Sequence, residues 1–180
     1  MYPFISIFSA KNNISFSNVM PLVSFYDLSA ITNDGSIFNF EQLKNKKVLI
    51  VNTASNCGYT PQYRQLQKTY QLYKERLVVI AFPANNFGGQ EPAEDTVIAT
   101  FCTKNFGISF PLMKKCSVRK NEYQHPVYQW LTNKKHNGWN NKAPEWNFSK
   151  YLIDENGILT HYFSPGVSPL GKIMRRAIGA

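Results

Sequence analysis

Three cysteines, Cys57, Cys102 and Cys116, are the chain's candidate nucleophiles, and Cys57 has the most informative setting. It stands in VNTASNCGYT, between an apolar run and a Thr-Pro that opens a helical pattern, with Asn56 and Gly58 beside it. A free thiol with a pKa near 8.5 is only about 3% thiolate at pH 7, and the thiolate is the nucleophile. A reactive cysteine here therefore needs neighbours that favour the anion. A helix N-terminus just after Cys57 would supply about 0.3–1 kcal/mol, which is less than one pKa unit. Donors aimed at the sulfur must add the rest. The indole N–H of Trp146 and the amide N–H groups of Gln90 and Asn147 are donors that carry no negative charge. The same groups could hold the oxyanion that leaves when a thiolate splits an O–O bond. Taken singly, each residue has an ordinary explanation: a small buried thiol, a core indole, two loop amides.

The elements around these residues give them a common place. VLIV, entered from the charged KNKK, is a continuous apolar run that suits a strand covered on both faces. Thr60 is placed to cap a helix with Pro61 at its first position, and Tyr63, Leu66, Tyr70, Tyr73 and Leu77 follow on one helical face. LVVIAF then makes a second strand, so residues 48–82 read as a parallel βαβ unit. Past the loop NNFGGQ, the segment EPAED opens a second helix with Val97, Ile98, Phe101 and Cys102 on one face. FSKYLID and ILTHYF flank Asn156-Gly157 as a hairpin, VSFYDLSAI and SIFNF flank Asp34-Gly35 as another, and GKIMRRAIGA ends as a short helix. Cys57 and Gln90 each lie just past a strand of the parallel pair, where ligands collect in such sheets. An antiparallel FSKYLID strand would start at that same edge, with Trp146 and Asn147. The order hairpin, βαβ, helix, hairpin, helix predicts an α/β, thioredoxin-like fold: a central mixed sheet flanked by helices, with the N-terminal hairpin as an extension.

Length and composition narrow the class. With 180 residues and 43% hydrophobic content the chain suits one domain with a sizeable core, read as residues 20–180 after an N-terminal extension of residues 1–19. No apolar run reaches the roughly 18 residues of a membrane span, and PFISIFSA has no basic residue ahead of it, so neither integral membrane association nor a signal peptide is expected. An odd number of cysteines without C-x-x-C argues against a disulfide framework and against structural zinc, and favours reduced thiols in a cytoplasm. His125, His136 and His161 show no metal-ligand spacing. The net charge of +9 comes from scattered pairs and triplets that read as solvated surface, so no nucleic-acid partner is expected.

The stretches VNTASNCGYTPQY, FPANNFGGQEP, FCTKNFGISFP and WNFSKYLIDENG resemble, in that order, the signature segments of the glutathione peroxidase family, across residues 22–170. The resemblance implies a catalytic tetrad at Cys57, Gln90, Trp146 and Asn147. Cysteine at the peroxidatic position is similar to the non-selenium branch, for which thioredoxin rather than glutathione is the usual reductant. Cys102 falls where cysteine-type members carry the resolving thiol, although by periodicity it fits a packed core thiol equally well. Cys116 reads as structural, with an alternative resolving role left open. Two departures spare the tetrad: Ala84 replaces a common cysteine and Asn86 a common glutamine. The short segment KKHNGWNNKAPE lacks the longer insertion of tetrameric members, which implies a monomer.

The expected activity is reduction of hydrogen peroxide and of organic or lipid hydroperoxides, an antioxidant role in the response to oxidative stress. Cys57 would pass through a sulfenic acid, with regeneration through a Cys57–Cys102 disulfide by thioredoxin or by glutathione. No metal or organic cofactor is implied. A peroxide sensor that relays its oxidation to a partner would use the same chemistry. A thiol–disulfide exchange protein should show C-x-x-C, which is missing, and a basic binding module would leave the four tetrad residues unexplained.

Overall fold

The strand β4 (Lys47–Thr53) runs through the middle of the protein, and from Val48 to Thr53 all its residues are buried. Its side chains alternate between two apolar cores: Val48 and Ile50 join one, Leu49 and Val51 the other. The computed structural model describes residues 12–14 and 19–179. In chain order, β1 (Asn12–Ile14), β2 (Ser29–Ile31) and β3 (Ile37–Asn39) precede β4, and α1 (Gln62–Tyr73) leads to β5 (Leu77–Pro83). Then come α2 (Asp95–Phe106), α3 (Pro126–Leu131), α4 (Lys134–Asn137), β6 (Lys150–Ile153), β7 (Leu159–Phe163) and α5 (Lys172–Ile178). The main sheet has the order β1-β7-β6-β4-β5, with β4 and β5 parallel and β6 antiparallel to β4. The hairpin β2-β3 stands apart as a two-stranded sheet.

Helices cover both faces of the main sheet, which is why its central strands show no polar alternation. On one face Tyr63 and Leu66 of α1, Ile98 and Cys102 of α2, and Met174 and Ile178 of α5 pack against Leu49, Val51, Val79 and Ala81. On the other, Val127, Tyr128, Trp130 and Leu131 of α3 pack with Val48, Ile50, Ile80 and Phe82, and Ala30 and Phe40 from the β2-β3 region join them.

Several local expectations change. Thr60 does not cap α1: its hydroxyl accepts the Cys57 N–H at 3.0 Å and donates to the Ala54 carbonyl at 2.9 Å, so Pro61 is the cap and the helix starts at Gln62. A threonine hydroxyl engaged in the preceding turn is lost to the helix end. Leu77 is the first residue of β5, because α1 stops at Tyr73. In α2 only Ile98 and Cys102 are fully buried, whereas Val97 is 57% exposed, so the apolar face is narrower than its spacing suggests. The hairpin around Asn156-Gly157 does form, between β6 and β7, with a turn over residues 154–158 in which the Asp154 carboxylate accepts the N–H groups of Asn156 and Ile158, both at 2.9 Å. Within the extension assigned to residues 1–19, Asn12–Ile14 pairs antiparallel with β7 as an edge strand, while residues 1–11 and 15–18 lie outside the described residues.

Gly157 closes that loop with φ of +79°, and a Cβ there would lie 2.8 Å from Cε2 of Tyr26, whose hydroxyl donates to the Glu155 carbonyl at 2.8 Å. Gly157→Ala therefore meets both strain and a clash, and it should lower unfolding free energy by about 1–3 kcal/mol in a urea titration.

Candidate active site

Because β4 and β5 are parallel, their carboxyl ends share one edge, with Thr53 opposite Pro83. Cys57 follows β4 and Gln90 follows β5. Lys150, the first residue of the antiparallel β6, pairs with Val51, so Trp146 and Asn147 arrive at the same edge. Backbone and side-chain hydrogen bonds join the three segments. The Asn56 N–H donates to the Gln90 carbonyl at 3.0 Å, and the Asn147 amide donates to Gln90 Oε1 at 3.0 Å and to the Phe87 carbonyl at 3.4 Å. Asn52, buried near the end of β4, donates through Nδ2 to the Trp146 carbonyl at 3.0 Å, and its own carbonyl accepts the Phe148 N–H at 2.6 Å. The Trp146 ring lies against Phe87 at 5.6 Å between centroids and remains 39% exposed. Gly88 sits between Gln90 and Trp146: a Cβ there would be 3.5 Å from Gln90 Cγ and from the indole edge.

The donor at the sulfur differs from the expectation. Cys57 is 8% exposed, and among the described residues the hydrogen bond to its Sγ comes from the Tyr59 backbone N–H at 3.4 Å. The Asn147 amide is directed to Gln90 and Phe87 rather than to sulfur. Its effect on Gln90 is orientational: with Oε1 occupied as an acceptor, Nε2 is the end of that amide left for an incoming anion. A cavity of about 500 Å³ opens alongside, lined by Tyr59, Glu145, Trp146, Ser164, Pro165 and Gly166.

Cys102 is wholly buried in the same core as Cys57, and both are free thiols. Burial pushes the Cys102 thiol up to about 11, with the Tyr63 hydroxyl pulling it back and the Glu91 carboxylate adding to the rise. Cys116 packs against the other core, and its N–H donates to the carbonyl of Pro83, the last residue of β5, at 3.0 Å. Burial pushes the Cys116 thiol up to about 12. Glu91, next to Gln90, is also enclosed. It accepts from Ser55 Oγ at 3.0 Å, and burial raises its carboxyl above the ordinary range while that hydrogen bond opposes the rise. His125 caps α3 by accepting the Val127 N–H at 3.2 Å, and His161 stacks on Phe163 at 5.3 Å. Among the described residues no group of histidine, cysteine and carboxylate side chains is arranged to hold a metal ion.

Sequence reasoning passed over Tyr59, Asn52 and Glu91. Tyr59 contributes a backbone group, which no side-chain pattern marks. Asn52 did leave a signal, as a polar residue closing an otherwise apolar strand, VLIVN.

A family model described as "Glutathione peroxidase" matches residues 25–132. The chain is 45% identical over 146 residues to the "Glutathione peroxidase-like peroxiredoxin GPX5" of Chlamydomonas reinhardtii, which covers 81% of this chain and 89% of that protein. The crystal structure of T. cruzi GPX1 aligns with a TM-score of 0.67 at 31% identity, over 86% of this chain and 94% of that one. A thiol:disulfide interchange protein of the thioredoxin family from Chlorobium tepidum aligns with a TM-score of 0.59 at 19% identity, over 92% of this chain and 100% of that one, which shows the thioredoxin-like fold alone.

A thiol pushed up to about 11 is ionised in roughly one molecule per thousand at pH 8. Iodoacetamide at pH 8 should therefore label Cys57 first, with labelling of Cys102 and Cys116 growing only as the pH is raised toward 11. Peptide mapping by mass spectrometry reads the order.

Proposed function

Because the chain belongs to the glutathione peroxidase family, and is by that membership a thiol peroxidase, we propose that Cys57 is its peroxidatic thiol and Gln90, Trp146 and Asn147 the groups that serve it. The supporting observation is the hydrogen-bonded bridge from the Cys57 loop through Gln90 to Asn147, 3.0 Å at each step, which ties together segments far apart in the chain. The Cys57 thiolate attacks the distal oxygen of a hydroperoxide. An S–O bond forms as the O–O bond breaks, and the departing hydroxide or alkoxide takes a proton to leave as water or alcohol. Gln90 Nε2 and the Trp146 indole N–H, at the rim of the site, are the donors suited to that departing oxyanion. Asn147 fixes the orientation of the Gln90 amide from behind.

Cys102 then condenses with the sulfenic acid, forming the disulfide and releasing water. A disulfide needs the two Cα atoms within about 7 Å; where Cys57 and Cys102 start farther apart than that, α2 must partly unwind for the step. Support for this comes from its light anchoring: only Ile98 and Cys102 are fully buried, and no side chain caps its start. A dithiol reductant of the thioredoxin type reopens the bond through a mixed disulfide, with glutathione as the rival reductant. The reading extends to a monomer in the cytoplasm, to catalysis without a metal or organic cofactor, and to no nucleic-acid partner. It places the working domain in residues 20–180, with residues 1–19 as an extension that lends the sheet an edge strand. Among the described residues no helix is long and apolar enough to cross a membrane.

Cys57→Ser should abolish consumption of hydrogen peroxide and of a lipid hydroperoxide. Cys102→Ser should consume one equivalent and then stop when thioredoxin is supplied. Undiminished thioredoxin-driven cycling in Cys102→Ser would remove Cys102 from the cycle, and the same assay with glutathione alone separates the two reductants.

A further inference from the structure

Lys150 opens β6 in the middle of the sheet, between β4 and β7, and is completely buried. Its ammonium has no carboxylate to balance it: the ion pairs among the described residues are Lys44–Glu41, Lys47–Glu155 and Lys142–Glu145. Nζ instead donates to two backbone carbonyls, Pro165 at 3.0 Å and Val167 at 2.8 Å. Two acceptors match the two N–H groups of an uncharged amine, and burial alone drives the lysine pKa well below its ordinary value.

Both carbonyls belong to the loop after β7, whose residues Ser164, Pro165 and Gly166 line the cavity that Tyr59, two residues after Cys57, also lines. Gln62 reaches the Pro165 carbonyl as well, at 2.7 Å from Nε2. Farther along, Ser168 Oγ donates to Gln65 and Thr69 Oγ1 donates to the Pro169 carbonyl, so α1 holds the loop from its outer side. Tyr59, Glu145 and Trp146 complete the lining. A Cβ on Gly166 would stand 3.9 Å from the Tyr59 hydroxyl, and the Tyr59 N–H donates to Cys57 Sγ. The pinned loop thus meets the residue that contacts the sulfur.

We infer that Lys150 is a positioning residue for substrate choice. By holding the Pro165–Val167 backbone it sets the shape of the cavity wall that receives the organic part of a hydroperoxide while the peroxide group meets Cys57. This inference rests on the peroxidase reading of Cys57. Hydrogen peroxide has no organic part to place, so it depends less on that wall.

The test uses the full chain, pre-reduced, with peroxide consumption followed in a single turnover so that no reductant is needed. Rate constants are measured for cumene hydroperoxide and for hydrogen peroxide. Lys150→Met keeps the length of the side chain and removes both hydrogen bonds. The ratio of the cumene hydroperoxide rate constant to that of hydrogen peroxide should fall at least five-fold from wild type, with the organic substrate's loss appearing as weaker saturation. A merely structural lysine would slow both substrates in proportion, and a ratio that falls less than five-fold overturns the inference. If Lys150→Met does not fold, as read by circular dichroism, Lys150→Gln and Gln62→Leu decide by the same ratio: the first shortens the reach to both carbonyls, the second removes the other donor to the Pro165 carbonyl, and a ratio that falls less than five-fold in both overturns the inference. A wild-type chain that consumes neither peroxide would instead overturn the reading of Cys57 itself.

Discussion

Asn147 is wholly enclosed, and a buried side-chain amide has to find its partners inside the protein. It finds the Phe87 carbonyl and Gln90 Oε1, both supplied by the segment after β5. That requirement couples the start of β6 to the end of β5 across the intervening β4. The coupling also fixes which way the Gln90 amide faces, which is a chemical decision rather than a packing one. Asn52 repeats the arrangement one layer deeper, satisfying the carbonyl of Trp146 and receiving the Phe148 N–H. The site is thus held by bonds from the Nδ2 groups of Asn147 and Asn52, to one side-chain oxygen and to backbone carbonyls, while the Oδ1 atom of each asparagine is buried without a partner among the described residues.

The sheet, the order of its central strands and the edge where the site lies were legible because β4 and β5 are apolar on both faces and joined by a helix of clear period. That pattern has few other solutions. The four residues grouped from sequence do gather at one edge, yet the contact with the sulfur comes from the Tyr59 backbone, which carries no mark in a one-letter string. Thr60 and Pro61 look like a helix start by every local rule. The turn that presents Cys57 claimed the threonine hydroxyl first, and only the folded turn reveals that competition. Lys150 was hidden for a related reason. In FSKYLID a lysine reads as the solvated position of a strand, and nothing local says that two carbonyls from a later loop will enclose it.

The two thiols on this side of the sheet differ in setting. Cys57 lies in a turn at the rim, whereas burial holds Cys102 as a neutral thiol beside Tyr63, with a carboxylate nearby that opposes its ionisation further. A thiol kept neutral is poor at adventitious reactions. In the cycle proposed for it, Cys102 would have to leave this enclosed setting before it could act on Cys57, which would tie that step to a local opening of α2.

The division of the apolar interior by the sheet carries a last consequence. Cys57, Cys102 and α2 all lie on one side, and α3 and the β2-β3 hairpin pack on the other. A helix can melt and re-form on the first side while the second stays crystalline in its packing. The far core then acts as a keel: α3 and the hairpin keep backing the sheet, so a local opening on the Cys57 side need not spread into unfolding of the whole chain.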